Sequence, residues 1–307
     1  MLFLGILLII LVISSVLVKP EEGEVYNIVQ VTEKKEAFEK EAPDTIDVIF
    51  AGNSEVYRTF SPLQIYKDTG ITSYCMSDSA LRLCDAKELI RASFLDQDPK
   101  VIVLEADSVF SEAYPHKDGS AVLTNLLEDI FPVFHYHTLY KAYWPGTGNS
   151  DSGKERALRG FVETDEAKPY TGPADYMSVG DPVGINEESR KYLNEIREFC
   201  EEQQVPLVIV AAPNAKNWTY SKNEALSEYA EKYGLDFLDL NMHLEDMGID
   251  WEKDTMDGGN HMSFSGSKKT TGFMEEYLRD NFELEDHRGD PAYKQWEEDI
   301  REYDLYR

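Results

Sequence analysis

Two short segments carry residue types that could perform acyl-transfer chemistry together. Ser54 stands in Ala51-Gly52-Asn53-Ser54-Glu55, directly after the apolar run at residues 46–51. Such a run suits a buried strand, and a serine just past its end lies where open α/β sheets bind ligands. Glycine permits a tight turn there, and backbone N–H groups opening the next helix could face a developing oxyanion. Gly-Asn-Ser is also ordinary turn chemistry, so the serine alone specifies little. His261 adds weight. It lies in Asp257-Gly258-Gly259-Asn260-His261-Met262-Ser263-Phe264-Ser265-Gly266, between the last strand and the last helix, four residues after Asp257. The two glycines let the loop fold back, so that the carboxylate reaches one ring nitrogen while the other faces outward. That is a base and its orienter. The bland alternative is a surface loop with an incidental histidine.

The elements that would position these residues follow a strand–helix alternation. Strands are expected at residues 46–51, 71–76, 101–106, 206–212 and 236–240, and helices at 80–95, 186–203, 221–233 and 265–282. Tyr192, Ile196, Phe199 and Cys200 share one face of the second of these helices, and Ser263 or Ser265 could cap the last. The pattern predicts an α/β fold, a three-layer sandwich with a mostly parallel central sheet. About 75 residues, from 107 to about 181, lack alternation and are rich in aromatics, Gly and Pro. They read as an insertion roofing or lining a site. Asp246, Asp250 and Asp254 do not match a calcium loop and read as solvated acids.

Residues 1–18 contain no charge. A helix rising ~1.5 Å per residue needs about 20 apolar residues to span a bilayer, which predicts an N-terminal transmembrane anchor. A cleaved signal peptide is the rival, lacking here a basic leader and an A-x-A-like site. Residues 19–44 then read as a charged, solvated stalk, 45–285 as the α/β domain, and 286–307 as a charged tail. The chain holds 58 Asp+Glu against 30 Lys+Arg, a net charge of -28. That excludes a general attraction to nucleic acid or to anionic lipid. The three cysteines are too few and scattered for a disulfide framework and read as free thiols.

With these residues in place, the chain resembles the SGNH (GDSL-type) hydrolase family over about residues 46–284. The carriers are GNS after the first strand and the terminal D-x(3)-H-x-S-x-x-G block. It is most similar to the membrane-anchored SGNH-like proteins of Firmicutes, which are related to the D-alanyl-lipoteichoic acid transfer protein and to alginate-type O-acetylation proteins. Phe134-His135-Tyr136-His137 with Trp144, and Pro213-Asn214-Ala215-Lys216-Asn217-Trp218, resemble the same subgroup. The resemblance implies Ser54 as nucleophile, His261 as general base and Asp257 as its orienter. The family's Asp–His interval is one residue shorter. Where the family places Gly and Asn donors for the oxyanion, this chain has Ser77-Asp78 and Asp107. An ionised aspartate cannot donate, so either Asp107 is protonated or the hole uses the Ser54 and Ser77 backbone.

Arg58, one helical turn after Ser54, is a candidate anion or substrate contact. His135 and His137 share a face if their segment is extended, which makes His137 a candidate substrate contact. Core histidines are the default for both. No third ligand completes a zinc site, and no cofactor is implied. The resulting expectation is a membrane-anchored serine esterase or O-acyltransferase at the cell exterior. By resemblance, its substrates are acylated carbohydrate or polysaccharide and its partner a membrane-bound O-acyltransferase. The alternatives are a catalytically inactive SGNH-fold carbohydrate-binding or assembly protein, and a cytosolic lipid or thioester hydrolase.

Overall fold

Five short runs rich in Val, Ile and Leu pair into one parallel sheet. They are β1 (Val48–Gly52), β2 (Ser73–Ser77), β3 (Val101–Glu105), β4 (Leu207–Ala211) and β5 (Asp236–Asp239), in the order β2-β1-β3-β4-β5. The computed structural model describes residues 10–15, 37–111 and 158–305. The chain forms two compact units, Met1–Glu33 with Tyr114–Ser150 and Lys34–Ala113 with Asp151–Arg307, and the sheet belongs to the latter. In the former, residues 10–15 are helical. The rest of the apolar run expected to cross a membrane lies outside the described residues, as do residues 19–36, His116, His135, His137 and Trp144. Among the described residues no helix is long and apolar enough to cross a membrane.

Strand periodicity divides the core between two faces. Val48, Phe50, Val101, Val103, Val208 and Val210 pack with Val56, Phe60, Ile65, Met274 and Leu278. The latter come from α1 (Ser54–Thr59) and its C-cap Phe60, from α2 (Pro62–Thr69) and from a long helix following the His261 loop, here α8 (Phe264–Asn281). The other face is covered by α3 (Leu83–Ser93), α5 (Glu187–Gln203) and α6 (Tyr220–Tyr233). Phe94 meets Phe199 at 5.2 Å and the Tyr229 hydroxyl donates to Asn194 at 2.8 Å across these helices. Two short helices, α4 (Asp107–Ser111) after β3 and α7 (Leu244–Met247), complete the domain before α8. The α/β reading of the sequence therefore describes what forms. Ser263 rather than Ser265 caps α8, accepting from Gly266 N–H.

Three stretches are more ordered than their composition suggests. Ala37 and Phe38, at the end of the expected solvated stalk, are buried, with Phe38 edge-on to Tyr74 at 4.8 Å. An aromatic amid charges still finds cover when a sheet edge is at hand. Residues 294–305 of the charged tail form α9 (Lys294–Leu305), whose Trp296 lies 5.0 Å from Tyr66 on α2. His287 anchors the approach to α9, with Nε2 2.9 Å from Asp47 Oδ2. Asp254 is not a solvated acid. It is 1% exposed and accepts from Asp250 N–H at 2.7 Å, Ser265 Oγ at 2.6 Å and Lys269 Nζ at 2.5 Å. It thereby ties the His261 loop to α8.

The buried Glu275 on α8 gives a pH-dependent stability. Burial and Asp68 hold its carboxyl up to about 7 against the Gln64 hydrogen bond, compared with 4.5 ordinarily. The folded chain thus binds an extra proton between those values, and the stability due to it declines as pH rises through that window. Glu275→Gln is expected to raise the melting temperature at pH 8 relative to wild type more than at pH 5. The difference corresponds to about 1–3 kcal/mol. Equal differences at the two pH values would show that Glu275 is not the titrating group.

Candidate active site

Ser54 opens α1 one residue after β1 turns away from the sheet. The turn depends on Gly52, whose φ is +152° and at which a Cβ would lie 2.6 Å from Glu105 Cβ. Asn53 then caps α1, its Oδ1 accepting from Glu55 N–H at 2.9 Å. Cap and glycine together fix Ser54 at the C-terminal end of the sheet.

His261 arrives on a loop clamped from several sides. Thr255 and Met262 pair as a bridge, and Gly259 N–H donates to Thr255 Oγ1 at 2.7 Å. Gly258 and Gly259 have φ of +82° and +106°, and a Cβ on Gly259 would lie 2.7 Å from the Tyr170 ring. The described return leg of the insertion backs this loop. Lys168 N–H donates to Thr255 O at 3.0 Å, and Tyr170 N–H donates to Trp251 O at 3.0 Å. The described return leg of the insertion therefore reaches the site here as a buttress; residues 112–157, the rest of the expected insertion, lie outside the described residues.

The structure brings Ser54, His261 and Asp257 into one hydrogen-bonded row. Ser54 Oγ is 2.8 Å from His261 Nε2, and His261 Nδ1 is 2.6 Å from Asp257 Oδ2. Asp257 Oδ1 accepts from the backbone N–H groups of Asn260 and His261, both at 3.0 Å. The extra residue between Asp and His is absorbed by this turn, in which the carboxylate caps its own loop. Burial raises the Asp257 carboxyl, but the backbone and ring hydrogen bonds of His261 outweigh it and hold the group below its ordinary value. Asp257 is thus the ionised partner that a ring N–H at Nδ1 requires.

Asp107 has a different neighbourhood from the one its type suggests. Its Oδ1 pairs with the buried Lys222 Nζ at 3.0 Å, and Asn53 Nδ2 donates to Oδ2 at 3.4 Å. Lys222 is held over the Phe110 ring, 5.2 Å from its centroid. A compensating cation answers the repulsion expected of an aspartate here, and Asp107 acts as an acceptor orienting Asn53. Ser77 is fully buried and pairs with Gly52 in the β1–β2 register. Arg58 is turned to the returning leg of the insertion, donating from Nη1 to Val162 O at 2.9 Å. Trp218 packs in the core and donates from Nε1 to Asp239 Oδ2 at 2.8 Å.

Three residues without a sequence assignment complete the surroundings: Glu55, Asn214 and Asn260. Asn214 Nδ2 donates to Glu55 Oε1 at 2.9 Å and to Asn260 Oδ1 at 3.3 Å. Asn260 Nδ2 in turn lies 3.0 Å from His261 Nδ1. The available signal was position, since Asn214 follows the end of β4 just as Ser54 follows β1. Cys75 and Cys200 are buried and Cys84 is partly exposed, and Cys75 Sγ donates to Phe60 O at 3.4 Å. Among the described residues no His, Cys, Asp and Glu group is arranged to hold a metal ion. A surface cleft of about 590 Å³ lies apart from the row, between Gln64, Lys67, Phe264, Lys268 and Tyr303. Among the described residues, reactive groups converge at the row and not at this cleft.

No protein-family model matches the chain, and no curated protein matches it. Among solved structures it is similar to a GDSL-like lipase from Bacteroides thetaiotaomicron, at 12% identity and a TM-score of 0.44, covering 83% of this chain and 100% of that one. It is also similar to a lipase/acylhydrolase from Enterococcus faecalis, at 9% identity and a TM-score of 0.41, covering 78% of this chain and 98% of that one.

Proposed function

We propose that this chain is a serine esterase or O-acyltransferase of SGNH type, tethered to the cell membrane by residues 1–18 with its domain outside. The observation that carries the chemistry is the row Ser54 Oγ–His261 Nε2 at 2.8 Å and His261 Nδ1–Asp257 Oδ2 at 2.6 Å. Ser54 attacks an ester carbonyl while Nε2 takes its proton, and Asp257 keeps the remaining ring proton on Nδ1. The oxyanion faces the backbone at the start of α1, with Ser54 N–H and the Ser77 backbone as donors. The leaving alkoxide takes the proton from Nε2, leaving an acyl-enzyme. Water or a sugar hydroxyl then attacks with His261 as base again. The sequence resemblance supports acylated carbohydrate or polysaccharide of the envelope as substrate, and a membrane-bound O-acyltransferase as partner.

A second reading, a non-catalytic carbohydrate-binding or assembly protein, is favoured by Asp107, which accepts where the resemblance leads one to expect a donor. A fluorophosphonate probe and an aryl acetate separate the two. Wild type is expected to label and turn over, and Ser54→Ala to lose both by at least about 10⁴-fold. Labelling that survives Ser54→Ala removes Ser54 as nucleophile. Absence of both labelling and turnover in wild type supports the binding protein.

A further inference from the structure

Glu55 is a buried acid beside the row that the mechanism above leaves without a task. It follows Ser54 in the first turn of α1 and is 3% exposed. Its Oε1 accepts from Asn214 Nδ2 at 2.9 Å and lies 3.9 Å from His261 Nε2. Its Oε2 has no hydrogen-bond partner among the described residues. A buried carboxylate with one oxygen unsatisfied is costly, and a neutral acid much less so.

The charges facing it agree. Glu105 and Asp107 press from β3 and α4, and Asp257 from the His261 loop. The nearby cation from α6, Lys222, is taken by Asp107, and Asn214 contributes only an amide. Burial first, then these three carboxylates, drive the Glu55 carboxyl well above its ordinary value against the Asn214 hydrogen bond.

We propose that Glu55 is a positioning residue that sets which way His261 passes its proton. While neutral, Glu55 leaves the Nε2 proton aimed at the reacting oxygens. Once ionised, it attracts that proton from 3.9 Å. The ring then gains basicity towards Ser54 and becomes a poorer acid towards a leaving alkoxide. The proton lost from Glu55 goes to solvent as pH rises, and no other bond changes. The proposal rests on the Ser54–His261 reading for its catalytic consequence, but its electrostatic core does not need turnover.

The consequence is a change in leaving-group preference with pH. Aryl esters need little acid assistance and alkyl esters need much. In wild type the ratio of aryl to alkyl kcat/KM is expected to rise about tenfold as pH rises and Glu55 ionises. In Glu55→Gln, a neutral mimic of the acid, the ratio stays at its low-pH value throughout. A flat ratio in wild type, or a rise that persists in Glu55→Gln, overturns the proposal. The His261 ring resonance, assigned by its loss in His261→Asn, gives a readout free of catalysis and of the variant's folding. In Ser54→Ala it is expected to show a second inflection, from ionisation of Glu55, that is lost when Glu55→Gln is added. Absence of the second inflection also overturns the proposal. If Ser54 is not the nucleophile, the labelling test fails while the second inflection stays, so the two failures are distinguishable.

Discussion

Turnover of an aryl ester is expected to fall on the order of 10⁴-fold in Asp257→Asn, with little change in melting temperature. The size follows from what each carboxylate oxygen does. Oδ1 accepts from two backbone N–H groups, those of Asn260 and His261 at 3.0 Å, so in the variant the amide oxygen is held in that place. The amide NH₂ then faces Nδ1, where Oδ2 stood at 2.6 Å, and donates to it. A ring that accepts at Nδ1 carries its proton on Nε2 and cannot take one from Ser54. The loop keeps its fold because the backbone bonds survive, so the loss appears in kcat rather than in stability. In Asp257→Asn/Ser54→Ala the two losses are expected to be far from additive, with activity close to that of Ser54→Ala alone. A loss smaller than about tenfold in Asp257→Asn would mean that another group orients the ring.

The row itself was legible in the sequence for a specific reason. Ser54 and His261 each follow a recognisable strand or precede a recognisable helix, and a parallel sheet places all such loops at one end. The altered Asp–His interval was the weak point on paper. In the fold it is harmless, because Asp257 caps its own turn and two glycines with positive φ supply the reversal. The electrostatic setting was not legible. Lys222 looks like any charged residue on an amphipathic helix, and nothing local says it will reach Asp107 across 115 positions. Glu55 likewise reads as a surface acid in a first turn, whereas it is buried and accepts from Asn214, 159 residues away. Long-range polar pairs leave no periodicity, so the sequence pointed to Ser54, His261 and Asp257 and not to the buried polar groups around them.

The same blindness hid a buried ion pair that joins three distant segments, and it carries the largest expected effect on stability. Arg159 is 0% exposed; its Nη1 meets Asp299 Oδ2 on α9 at 2.8 Å and its Nε lies 3.7 Å from Glu41 Oε2. Its guanidinium also lies 3.6 Å from the centroid of the Trp296 ring. The Arg159 carbonyl accepts from Cys75 N–H at 3.0 Å, covering the outer edge of β2, which would otherwise be open to pairing with another chain. Gly160 lets this contact form, since a Cβ there would lie 2.3 Å from Cys75 O. Arg159→Met keeps most of the volume and removes the charge, leaving Asp299 and Glu41 buried without it. The expected cost is about 3–5 kcal/mol, read as a lower urea midpoint and earlier proteolysis of the segment after residue 286. Arg159→Met/Asp299→Leu should recover a substantial part of the loss, because the uncompensated charge rather than the missing contact is what destabilises. An urea midpoint unchanged in Arg159→Met would instead place the hold on α9 in the Trp296–Tyr66 contact and the His287–Asp47 bond.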